Sequence, residues 1–114
     1  YGEVIAKAAP NASSERTGER FLGAVIGDHV KTAICTRIMT GAVVHTGVMW
    51  AATGAVAGCI EPLAWVTDDG KRAFRVEKFV EIARTVMQRR KVALSPAYEL
   101  ALRGVTGRSG GTTA

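Results

Sequence analysis

Aliphatic, small and turn-forming residues recur every six positions between Ile26 and Met49. The successive frames are Ile26-Gly27-Asp28-His29-Val30-Lys31, Thr32-Ala33-Ile34-Cys35-Thr36-Arg37, Ile38-Met39-Thr40-Gly41-Ala42-Val43 and Val44-His45-Thr46-Gly47-Val48-Met49. The first position is aliphatic or Thr, and the fifth is Val, Thr, Ala or Val. The fifth residue of one frame and the first of the next are two apart, so in an extended strand they share a face. That pairs Val30 with Thr32, Thr36 with Ile38 and Ala42 with Val44 on an inner face, and turns Lys31, Arg37 and Val43 outward. Gly27, Ala33, Gly41 and Gly47 fall near the corners, where a small residue lets the chain turn. Dense Ile, Val and Thr with recurring Gly make a poor helix. So short a period predicts a parallel β-helix. Three strands per coil would stack residues eighteen apart, Ile26 on Val44 and Val30 on Val48.

The flanking segments complete the expected order. Residues 1–62 form the coils, with a strand at 1–7, a polar loop at 8–20 around Pro10, Ser13, Ser14 and Gly18, and an irregular entry strand from Phe21 to Ile26. The frame fades after Met49, so residues 51–60 give one partial coil. Leu63 to Thr67 and Arg72 to Val76, joined through Asp68-Asp69-Gly70-Lys71, read as a β-hairpin with Trp65 and Phe74 packing across it. Val76, Phe79, Val80, Ala83, Val86 and Met87 lie at helical spacing and predict a helix from Glu77 to Arg90. Ser95-Pro96 starts a second, short helix to Arg103, with Gly104 as its stop. Residues 63–105 thus pack on the coils, and 106–114 form a disordered tail.

Composition narrows the class without choosing a chemistry. The chain has 114 residues, of which 47% are hydrophobic and 22% charged, which is ordinary for one globular domain. Cys35 and Cys59 make no disulfide framework or zinc cluster, and read as reduced, mostly buried thiols of a cytoplasmic protein. The most apolar stretch, Val48 to Ile60, is too short to span a bilayer. Charge is uneven: residues 1–70 hold five basic and seven acidic side chains, residues 71–114 ten and three. A basic C-terminal part suits phosphate, nucleic acid or an acidic partner. No aromatic residues interleave with its basic ones, which argues for a solvated surface over nucleic acid.

The string Gly27-Asp28-His29-Val30-Lys31-Thr32-Ala33-Ile34-Cys35-Thr36, followed by Ile38-Met39-Thr40-Gly41-Ala42-Val43-Val44, resembles the C-terminal left-handed β-helix of bacterial sugar nucleotidyltransferases. The likeness is to the group described as putative glucose-1-phosphate nucleotidyltransferases, where such a string leads to an aromatic hairpin and a helix ending like Val86-Met87-Gln88-Arg89-Arg90. It covers roughly Phe21 to Val92. The fold class expected is therefore mainly β: a left-handed parallel β-helix of hexapeptide repeats, a β-hairpin, and one or two C-terminal α-helices. The resemblance also implies a larger parent with an N-terminal nucleotide-binding domain acting on a sugar phosphate. This chain has no Gly-rich phosphate loop, so the module would serve assembly or regulation, as a homotrimer with Val43 and Met49 at the contacts, without the nucleotidyl-transfer site and without a cofactor.

The alternative is a hexapeptide-class acyltransferase that takes acetyl-CoA and uses His45 or His29 as general base. An imidazole titrates in the right range for that work. His45 occupies a corner where the sugar nucleotidyltransferase group usually has Gly, and no acidic residue neighbours it in sequence. A plain corner histidine is the competing reading. His29 stands beside Asp28, which is able to orient a base or simply to satisfy turn donors. Lys31 and Arg37, projecting from neighbouring strands, suit a phosphate, or else keep the sheet faces soluble.

Overall fold

The computed structural model describes residues 5–9, 13, 15–16, 18 and 23–107. Its elements are β1 (Ile5–Ala6), β2 (Glu15–Arg16), β3 (Val25–Ile26), β4 (Lys31–Thr32), β5 (Val43–Val44), β6 (Met49–Trp50), β7 (Cys59–Ile60), β8 (Ala64–Thr67), β9 (Gly70–Ala73), α1 (Val76–Arg89) and α2 (Pro96–Thr106). β1 and β2 pair antiparallel. Strands β3, β5 and β7 form a parallel three-stranded sheet, and β4, β6, β8 and β9 a mixed four-stranded one. Ile26 pairs with Val44 and Lys31 with Met49, each eighteen residues apart.

Left-handed backbone recurs at His29, Cys35, Gly41 and Gly47, with φ of 57°, 63°, 83° and 79°. These positions are six apart, so the sequence frame is expressed as a repeated turn that sends the chain from one short strand to the next. Gly27 and Ala33, expected to make corners, lie two residues before the left-handed position. Histidine and cysteine take that position in the first two turns and glycine in the next two.

The left-handed parallel β-helix expected over residues 1–62 is not what the chain forms, and the fold is not mainly β. The longest elements are the helices, of 14 and 11 residues, while β3 to β7 have two residues each. Where a third wall was expected, the described residues show one isolated bridge, Ile38 to Val56. The offset drops to sixteen in β5–β7 and β6–β8, because the frame lapses after Met49. The four-stranded sheet then closes on an antiparallel hairpin. Two intended inward residues stay open to water: Ile26 is 49% and Ile38 40% exposed, whereas Val44 is 5%. An inward side chain is buried only where layers cover it on both sides, and the layer of residues 23–40 has a described neighbour on one side alone.

Other expectations fare unevenly. The hairpin and both helices lie close to their expected places. Trp65 and Phe74 meet edge to face at 6.3 Å between ring centres. The expected polar loop contains β2, and Phe21 and Leu22 of the expected entry strand lie outside the described residues. α2 does not stop at Gly104. Leu102 and Thr106 are buried, the Thr106 hydroxyl donates to the Leu102 carbonyl at 2.8 Å, and Gly107 caps the end. Residues 108–114 of the expected tail lie outside the described residues. Cys35 is exposed rather than buried, since the left-handed turn turns it outward.

Two apolar interiors result. Ala42, Val44, Val48, Val56 and Ala64 pack between the sheets, with Trp50, Ile60 and Val66 at their margin. Leu63, Phe79, Val80, Ala83 and Leu102 form the second, where α1 and α2 lie against the turns. Consecutive residues Leu63 and Ala64 serve different interiors. Leu63 achieves this with a left-handed φ of 60°, donating its N–H to the Thr46 carbonyl at 3.1 Å and accepting from Phe74 N–H at 2.7 Å.

Candidate functional site

The turn between β3 and β4 carries Asp28 and His29, and α2 brings Tyr98 to it. Ser95 starts that helix by accepting the Tyr98 N–H at 3.1 Å, which fixes the first turn and aims the phenol. The Tyr98 hydroxyl donates to Asp28 Oδ2 at 3.1 Å. It lies 3.1 Å from His29 Nε2 as well. A phenol has one proton, so while it donates to Asp28 it accepts from His29. Nε2 therefore carries the hydrogen and Nδ1 keeps the basic lone pair. Phe79 of α1 stands edge-on to the imidazole, 5.8 Å between ring centres.

The electrostatics follow from this packing. Burial lowers the His29 pKa below its ordinary value; Lys31 adds to the lowering and Asp28 opposes it. Burial also lowers the Lys31 pKa. Tyr98 is raised by burial, then by its hydrogen bond to Asp28 and the charge there. The ring of His29 is thus neutral near pH 7, oriented by a carboxylate through an intervening phenol, and backed by an aromatic wall. Its left-handed backbone, φ 57°, belongs to the turn repeated every six residues and sets the direction in which the ring leaves the chain. Chemically the group is equipped to accept a proton at Nδ1. Structurally it also ties α2 to the turn before β4.

The remaining expected site residues are dispersed. His45 Nε2 lies 2.9 Å from the Ala8 carbonyl, so that nitrogen is the donor and its partner is backbone. Arg37 donates to the Thr53 carbonyl at 3.3 Å, beside the Ile38–Val56 bridge. Lys31 instead lies in β4 near His29, so the expected phosphate pair is divided between two stacks. The residue missed in the sequence is Tyr98. It heads a stripe with Leu102 and Thr106 at intervals of four, which marks a buried helix face, but nothing in that spacing reveals a partner seventy residues upstream.

Among the described residues, no helix is long and apolar enough to cross a membrane. No protein-family model, no curated protein and no solved structure matches this chain.

Proposed function

We propose that this chain is an assembly module from the C-terminal part of a sugar-1-phosphate nucleotidyltransferase, in which two copies join through the layer of residues 23–40. The parentage rests on the string Gly27 to Val44 and the helix end Val86-Met87-Gln88-Arg89-Arg90. The assembly role is carried by one observation: Val25, Ile26, Ile34, Ile38 and Met39 all stand exposed in that single layer. Among the described residues, the layer also holds the edge strands of both larger sheets, β3 and β4. Open strand edges flanked by apolar side chains favour pairing with another chain. Val43 and Met49, where the resemblance implied a trimer contact, are half-buried, which supports a contact at this end instead. A second copy presents the same two edges and meets the first across a two-fold axis.

Light scattering over a range of concentrations tests the reading. The wild-type chain self-associates, and the double variant Ile26→Lys/Ile38→Lys runs as a monomer with an unchanged circular dichroism spectrum. A wild-type chain that stays monomeric at the highest concentration ends the proposal.

The arrangement of Asp28, Tyr98 and His29 favours a second reading, acyl transfer with His29 as base. Acetyl-CoA turnover on an amino sugar then disappears in His29→Gln and persists in His45→Gln, whose imidazole is held by a carbonyl. Absence of turnover in the wild-type chain with every amino-sugar acceptor tried removes that reading.

A further inference from the structure

Where α1 ends, the chain reverses and leaves a cleft of about 400 Å³, lined by Arg84, Gln88, Lys91, Val92, Ala93 and Leu94. We infer that this cleft binds a small phosphate- or carboxylate-bearing molecule, its anionic head on Arg84, Gln88 and Lys91 and any apolar part on Val92 and Leu94. The inference is independent of the assembly role.

Charge is the first argument. Two cations line the cleft and no acidic side chain does. The carboxylate that pairs with Arg84, Glu99, is shared: Arg84 Nη2 donates to its Oε1 at 2.7 Å and Arg103 Nε to its Oε2 at 3.1 Å. One carboxylate thus serves two guanidinium groups. A guanidinium has five donors, so Arg84 retains donors beyond the one given to Glu99. Glu99 holds Arg84 in place, which reduces the ordering a ligand must impose.

The helix end gives the second argument. A helix C-terminus ordinarily repels anions through its unpaired carbonyls. Here two of those carbonyls are occupied: Met87 O accepts from Arg90 and Val92 N–H at 3.0 Å each, and Gln88 O from Lys91 N–H at 2.8 Å. The closure puts Lys91 in a left-handed conformation, φ 59°, at the lip of the cleft. The same turn that pairs two of the end carbonyls places the Lys91 side chain at the cleft.

Titration of the full chain with inorganic phosphate, followed by amide chemical shifts in two-dimensional NMR, tests this. The amides of residues 88–94 shift and saturate together, and added chloride weakens the binding. Lys91→Asn, which tolerates left-handed backbone, weakens it about tenfold, the factor for loss of one charge-assisted hydrogen bond. Arg89→Gln, on the same helix end but not lining the cleft, leaves it unchanged. Shifts that never saturate, or an equal loss in both variants, overturn the inference and mark a diffuse basic surface instead.

Discussion

The imidazole of His29 illustrates how much one side chain depends on distant partners. Its folded pKa lies below the unfolded 6.5, so between the two values the unfolded chain binds more protons. The stability it contributes is present above pH 6.5 and is lost as pH falls through the folded value. Tyr98 sets the opposite limit. Its folded pKa lies above 10, so its contribution is present below pH 10 and is lost as pH rises through the folded value. Denaturant melts across pH should show the acid loss shrink in His29→Gln and the alkaline loss shrink in Tyr98→Phe, each by comparison with wild type. At pH 8, Tyr98→Phe should lower stability by about 1 kcal/mol, the usual worth of a hydrogen-bonded hydroxyl. The sequence advertised Asp28 and His29 as neighbours. It concealed the phenol between them, because residues seventy apart meet only through tertiary packing.

Turns, rather than strands, carry the information at the next scale. Gly47 is buried with φ 79°, and a Cβ there would lie 2.6 Å from Leu63 Cδ2 and 3.1 Å from Phe79 Cε1. Gly47→Ala should therefore cost roughly 2 to 4 kcal/mol, combining left-handed strain with overpacking. Gly58 has φ 73° but nothing within 4 Å of its added Cβ. Gly58→Ala should cost about 1 to 2 kcal/mol, the strain alone. Chemical denaturation of the two variants separates conformational strain from crowding. The period of six was readable because every frame repeats this turn. Reading it as three equal walls went too far: side-chain alternation says which face a residue takes, not whether a two-residue strand finds a continuous partner. The helices were more legible, since α1 and α2 each carry an apolar stripe and Ser95-Pro96 marks a start. The end of α2 was misjudged because burial of Leu102 and Thr106 outweighs the helix penalty of Gly104.

At the scale of the whole chain, the body measures 43 × 28 × 28 Å, with sheets and helices each wrapped around their own interior. Trp50 and Trp65 report on the sheets and ellipticity at 222 nm reports on the helices. In thermal melts of the wild-type chain the two signals should change at one midpoint, because Leu63 of the helical interior hydrogen-bonds Thr46 in the turn between β5 and β6; two midpoints would mean that the helices melt apart from the sheets. The overall order of sheets before helices was visible in the spacing of apolar residues, whereas the location of exposed apolar surface was not, because it depends on which layer lacks a neighbour. The peptide joining Leu63 to Ala64 belongs to both interiors at once. No scission point divides this polypeptide cleanly there: a fragment ending at residue 63 forfeits Ala64 from between the sheets, and one starting at residue 64 forfeits Leu63 from beneath the helices. Recombination at that junction with a foreign partner would have to replace both apolar contacts at once, so the two halves are expected to be inherited as a unit.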